Sequence, residues 1–266
     1  MSPAISTVIL TNAVVVLLLV TIVFANSFLN ARMAENEFEA VKQFMQTIGL
    51  QTDDVAWTIG RTQTMRYASK FGQVMFESMA LNYTVYVNDV VVLANYSTGT
   101  LLFNMPISKY HVANSYYEHV YPSSDSSFLQ NGTSAPIAHV FVIEKVPMND
   151  GNYIRVVVTP SIRMLNSTIS TGGVNKNYYK FYLPLLSSGV NPRNSQSVTL
   201  VGEYVSVKTQ DSVNRVKIHV DFLKAGLGFD SNFFGFESVD ETVDVPAGSI
   251  VEFYTGKVTV SLGLYV

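Results

Sequence analysis

The chain has 266 residues, no cysteine, a formal net charge of −3 and only 14% charged residues. The absence of cysteine excludes disulfides, thiolate metal sites and cysteine catalysis, and the charge balance offers no basic face, so no nucleic acid partner is expected. The length suits one large domain or two small ones, Tyr and Phe number 15 and 16 against a single Trp, and without disulfides an extracellular chain draws its stability from packing and hydrogen bonds.

The first element begins with "AISTVILTNAVVVLLLVTIVFA" (Ala4–Ala25). From Val8 to Ala25 only Thr11, Asn12 and Thr21 are polar, and no charge precedes Arg32. A run of about 20 apolar residues spans the roughly 30 Å of a hydrocarbon core. A cleaved secretory signal would carry a basic n-region and a shorter apolar run. Here the helix continues without Pro or Gly through "NSFLNARMAENEFEAVKQFMQTI" to Ile48. Ala31, Ala34, Phe38, Val41, Met45 and Ile48 follow one another at three- and four-residue steps, which draws one apolar seam. The spacing predicts one helix of about 45 residues, roughly 65–70 Å long. It is apolar all round in its first half and on one side in its second. Asn12 admits two readings: a bond to a backbone carbonyl, or an inter-helix bond that fixes subunit register.

Gly49, just past the seam, reads as a helix stop. The expected organisation is a helix over 1–48, a hinge over 49–57 and a head over 58–266. Trp57 is expected to anchor the helix to the head.

Beyond the junction the period changes to strands. "YTVYV" and "VVVLANY" flank Asn88–Asp89, a two-residue hairpin signal. "LLFNM" follows. "HVFVIEKV" and "YIRVVVTP" flank a turn at Asp150–Gly151. "YYKFYLPLL", "SVTLVGEYVSVKT" and "RVKIHVDFL" continue the series, and the last stretch reads as a hairpin about Thr255–Gly256. In "RVKIHVDF" the residues Val216, Ile218, Val220 and Phe222 share one face. Roughly ten strands with short turns predict an antiparallel β-sandwich or barrel-like head, and so an α+β chain. Two long polar loops are expected, His111–Ala135 and Asn166–Asn177.

Four Asn-X-Ser/Thr sequons fall in the head: Asn82, Asn95, Asn131 and Asn166. On an exported chain they are candidates for N-linked glycans. Asn131 and Asn166 look loop-like and are the favoured pair.

Catalytic signals are thin, and no enzyme is expected. His111, His119, His139 and His219 form no metal-binding pair at helical spacing, although His111 and His119 share a loop with Glu118. There is no G-x-S-x-G elbow and no phosphate-binding glycine loop. The stretch holding Asp230, Asp240, Glu241 and Asp244 lacks calcium-loop spacing. Its Phe229, Phe233, Phe234 and Phe236 suit a packing or subunit contact. No cofactor is expected.

"AISTVILTNAVVV", with "SPAIST" before and within it, resembles the mature N-terminus of archaeal type IV pilins and related filament subunits. The resemblance covers about the first 50 residues. The first acid is Glu35, so the acid near the mature N-terminus of bacterial pilins has no counterpart. A basic leader removed by a prepilin peptidase would account for the missing flanking charge. The resemblance implies a helix stored in the membrane, then polymerised with copies of itself by the pilus assembly machinery into an extracellular filament. Ile9, Asn12, Val16, Leu18, Val23, Phe28, Phe38, Val41, Met45 and Ile48 are the expected assembly positions. Surface adhesion or attachment is the implied role. The alternative is a solitary membrane-anchored surface protein with a ligand-binding head. The seam from Ala31 to Ile48 lies outside any bilayer, so it needs a partner in another subunit or in the chain's own head.

Overall fold

The computed structural model describes residues 3–123, 127–171, 174–190 and 196–263. Met1 and Ser2, and parts of the polar stretches around residues 125 and 172, lie outside these.

Helix α1 (Pro3–Ala56) is a single element of 54 residues. At about 1.5 Å per residue it is roughly 80 Å long. It passes the expected stop at Gly49, which keeps helical geometry. A Cβ at Gly49 would lie 2.8 Å from Val140 Cγ2, so glycine serves there as the small residue that lets the helix lie on a strand. The extra turns are buried too. Thr52, Val55 and Ala56 are each at most 2% exposed, and Thr52 Oγ1 donates to the Ile48 carbonyl at 2.9 Å. The expected 49–57 hinge is therefore mostly helix. The chain turns only at Trp57–Arg61, where Arg61 N–H donates to the Thr58 carbonyl and Gly60 takes φ +78°.

Eleven strands follow among the described residues: β1 (Thr62–Arg66), β2 (Gln73–Val87), β3 (Val91–Pro106), β4 (Tyr116–Tyr121), β5 (Leu129–Asn131), β6 (Ala138–Glu144), β7 (Tyr153–Pro160), β8 (Ile162–Thr171), β9 (Val174–Ser188), β10 (Ser197–Phe222) and β11 (Asp240–Ser261). A 3-10 turn (Ala225–Leu227) and the short helix α2 (Ser231–Phe234) separate β10 from β11. The strands form one sheet in the order β4-β6-β7-β3-β2-β10-β11-β9-β8-β5, with β1 paired to β10 off that path. Pairing is antiparallel except for β11–β9 and β5–β8. The fold is thus a long apolar helix followed by a large, mostly antiparallel sheet. The sheet is open, with β4 and β5 at its ends, where a sandwich or barrel was expected.

Long strands explain how one sheet supports two cores. β2 shifts register between Glu77 and Leu81, and β10 shifts near Gly202 and near Gln210–Val213. Bulges of this kind bend a strand and increase its twist. One core gathers Tyr83, Phe128, Phe141, Phe181 and Phe253 under Phe229, Phe233, Phe234 and Phe236. The other sets Phe38, Val41, Met45 and Ile48 of α1 against Phe103, Val140, Val156, Val158, Leu200 and Val258. β6 is buried along its whole length because Val140 and Val142 serve the helix side while Phe141 and Ile143 serve the other.

Four local readings change. Thr255–Gly256 is strand rather than turn, since β11 runs unbroken through it. "SVTLVGEYVSVKT" and "RVKIHVDFL" are two ends of β10, joined across a bulge where Ser212 takes φ 59°. The expected loop from Asn166 is largely the β8–β9 ribbon, with Asn166 opposite Tyr179, and the expected loop His111–Ala135 contains β4 and β5. The tip between β2 and β3 is where the sequence puts it, with Asn88 and Asp89 both left-handed at φ 51° and 61°.

Candidate assembly and anchoring surface

Helix α1 has two environments. From Thr7 to Met33 its side chains are exposed all round, including Leu17 at 67% and Phe24 at 72%. This arm is long and apolar enough to cross a membrane, and none of its most apolar window is buried. Its length is about 40 Å. Two of its polar groups are satisfied locally: Thr11 Oγ1 donates to the Thr7 carbonyl at 2.9 Å and Thr21 Oγ1 to that of Leu17 at 2.8 Å. Asn12 is exposed and shares one side with Ala13, Val16, Leu17 and Val20. Ile9, Val16, Leu18, Val23 and Phe28 are all exposed.

The remaining four expected assembly positions are elsewhere. Phe38, Val41, Met45 and Ile48 are at most 2% exposed, and the chain's own head covers them. The Phe38 ring lies 5.1 Å from that of Tyr110 and 6.3 Å from that of Phe103. The seam starts at Ala34, since Ala31 is exposed. Sequence spacing marks an apolar seam but not which surface covers it, so these four are docking positions within the subunit.

Polar contacts reinforce the docking. Glu37 accepts from Ser69 Oγ, from Lys70 N–H at 2.8 Å and from Phe71 N–H at 2.9 Å, tying the 69–72 loop to the helix. Lys42 sits 2.8 Å from Glu39 and 3.4 Å from Glu118 of β4. Burial lowers its pKa, but the two carboxylates outweigh burial and hold it above the ordinary lysine value. Asp53 accepts from both Arg163 Nη atoms, at 2.8 and 3.2 Å, and from Trp57 Nε1 at 2.8 Å. Trp57 stands edge-on to Tyr182 at 5.3 Å, in the anchoring place the sequence suggests. Sequence reasoning missed Asp53, Arg163 and the two glycines that receive the helix end. A Cβ at Gly202 would lie 2.6 Å from the Thr58 carbonyl oxygen, and one at Gly256 would lie 2.9 Å from the Ala56 carbonyl carbon. Glycines inside strands mark close backbone approach, and that was the available signal.

The sequons lie on separate parts of the sheet. Asn131 is exposed at the end of β5, and Asn166 is exposed on β8. Asn95 is exposed on β3, while Asn82 on β2 is partly buried.

The histidines are dispersed. His111 Nδ1 hydrogen-bonds the fully buried Glu144, His119 stands edge-on to Tyr117 at 4.9 Å, and His139 is 3.4 Å from Gln130. His219 bridges Asp240 and Asp221 at 2.8 and 3.1 Å. Among the described residues no group of three or more His, Asp or Glu is placed to hold a metal. The acidic stretch is distributed among partners: Asp230 to Lys145, Asp240 to Lys217 and His219, Glu241 to Ser127, Asp244 to Arg215. Phe229, Phe233, Phe234 and Phe236 are core.

No family model matches this chain, and no curated protein or solved structure matches it.

Proposed function

We propose that the chain is the subunit of an extracellular type IV pilus-like filament, polymerising through the arm Thr7–Met33 and serving surface adhesion or attachment. The observation that carries this reading is the form of α1. An apolar arm of about 40 Å continues without a break into a half-helix that is built into the head's core. Transfer of the arm from lipid into a bundle of identical arms keeps its apolar area out of water, so the move costs little hydration free energy. A stiff arm also fixes where each head sits. A tethered binder gains nothing from stiffness and is expected to carry a Gly-, Pro- or Ser-rich linker. The assembly contacts fall to Ile9, Asn12, Val16, Leu18, Val23 and Phe28, with the prepilin peptidase and assembly machinery as transient partners.

The second reading, a solitary anchored surface protein, draws on one observation: the seam is satisfied within the monomer and does not demand a neighbour. Electron microscopy of filaments sheared from the cell surface, with N-terminal sequencing of the subunit, tests the two. Filaments built of this chain support assembly. A chain found only in membranes, monomeric in detergent, supports the anchored binder.

A further inference from the structure

Two of the sequons are interlocked. β2 and β3 pair so that Asn82 faces Ser97, Tyr83 faces Tyr96 and Thr84 faces Asn95. The asparagine of each sequon therefore lies opposite the hydroxyl residue of the other. Tyr83 is fully buried and Tyr96 stacks on Phe253, so the central residues point inward and both Asn/hydroxyl pairs point out.

The two sequons are not equivalent. Asn82 Oδ1 accepts from Ser97 Oγ at 3.1 Å, and its Nδ2 lies 3.4 Å from Thr84 Oγ1 and 3.5 Å from Asp221 Oδ2. β10 flanks this side, with Asp221 opposite Asn82 and His219 opposite Thr84. His219 is itself held between Asp240 and Asp221, and Thr84 is only 5% exposed. The Asn82 sequon thus has a partly buried amide and a covered hydroxyl. Asn95 and Ser97 are both exposed. They also sit where β3 is paired on one side only, because β7 joins β3 at Leu101–Pro106 and not before. Val92, on the same unpaired stretch, is 53% exposed. A free strand edge with exposed valine is an aggregation liability that proteins ordinarily blunt.

We propose that Asn95 carries an N-linked glycan, that Asn82 does not, and that this glycan shields the free edge of β3. The inference rests on the reading of the chain as exported, since sequons are modified only on exported chains. The donor is a lipid-linked oligosaccharide phosphate. The bond from Asn95 Nδ2 to sugar C1 forms as the C1–O bond to the lipid phosphate breaks, and the amide proton leaves with the phosphate. Asn95 and Ser97 are exposed with α1 docked on the head, so helix docking leaves the site open.

Glycopeptide mass spectrometry of the protein from the cells that make it is the test. The expected result is a glycan on Asn95 and an unmodified Asn82. Ser97→Ala should lose that glycan and Ser97→Thr should keep it, while Thr84→Ala should leave glycan occupancy unchanged. Glycan on Asn82, a bare Asn95, or a glycan that survives Ser97→Ala would overturn the proposal. Imaging the same preparations separates the two readings. Bare Asn95 on assembled filaments sinks this inference alone. A glycosylated chain that stays monomeric in membranes sinks filament assembly alone. An unmodified chain in the cytoplasm sinks both.

Discussion

Gly256 of β11 lies directly against the carbonyl of Ala56, the last residue of α1, with no room between them for a side chain. On the neighbouring strand Gly202 holds the same relation to Val55 and Thr58. The end of the helix is seated on two bare stretches of backbone.

Gly256→Ala and Gly202→Ala should therefore each weaken helix docking. Overpacking of this kind costs about 1–3 kcal/mol. Thermal unfolding of the full chain in detergent should show a lower Tm for both. Gly226→Ala, which meets nothing within 4 Å, should be near neutral. Equal effects at all three positions would contradict the seat.

The boundary between arm and head falls at Ala34, not at Ile48. A chain of residues 34–266 keeps the docked half-helix and should run as a soluble monomer in size-exclusion chromatography. A chain of residues 57–266 lays bare the second core and should aggregate. A soluble, folded 57–266 would show that the head does not need the helix.

A charge in the middle of the arm should block assembly. Val16→Lys or Leu18→Lys adds about 2.5–3.5 kcal/mol to membrane insertion at the helix centre, and a buried lysine in a bundle has no partner. Filaments should be lost, while the head's unfolding transition stays put because neither residue touches it. Normal filaments from either variant would refute arm-driven polymerisation.

Asp53 holds both Arg163 and Trp57. Asp53→Ala should free the indole and leave a mostly buried guanidinium without its carboxylate. Because Trp57 is the one tryptophan, its emission should shift to the red, and Tm should fall. An unchanged spectrum would mean that Tyr182 alone fixes the ring.

Acid should loosen the cover over the phenylalanine core. Burial raises the pKa of Asp230, but hydrogen bonds from Lys145 and from Phe233 N–H outweigh it and hold the carboxyl below its ordinary value. A depressed folded-state pKa adds stability above the unfolded value of about 3.9, lost as pH falls through the lower folded value. The ion pair is partly exposed, so its contribution is at most about 1 kcal/mol. Asp230→Asn keeps a helix cap and removes the titration. Its stability should thus fall less steeply than wild type below pH 4, as followed by near-UV circular dichroism.

Much of this architecture is legible in the residues. The uninterrupted apolar run from Val8 announces the arm, the three- and four-residue spacing of Phe38, Val41, Met45 and Ile48 announces a covered face, and Asn88–Asp89 announces a hairpin tip. These signals are local: they depend on side-chain period and on backbone angles that few residues tolerate. Gly49 and Gly256 mislead for the opposite reason. Glycine marks both a turn and a close approach, and only the neighbour across the gap tells them apart.

That an apolar helix precedes a β-rich head is readable from consecutive residues alone, because periodicity and hydropathy are local properties. Tertiary structure decided what covers the seam, which glycines are seats rather than turns, and that the Asn82 and Asn95 sequons meet across a strand pair. Each of these depends on residues far apart in the chain, whose encounter is set by strand register and packing rather than by any local pattern.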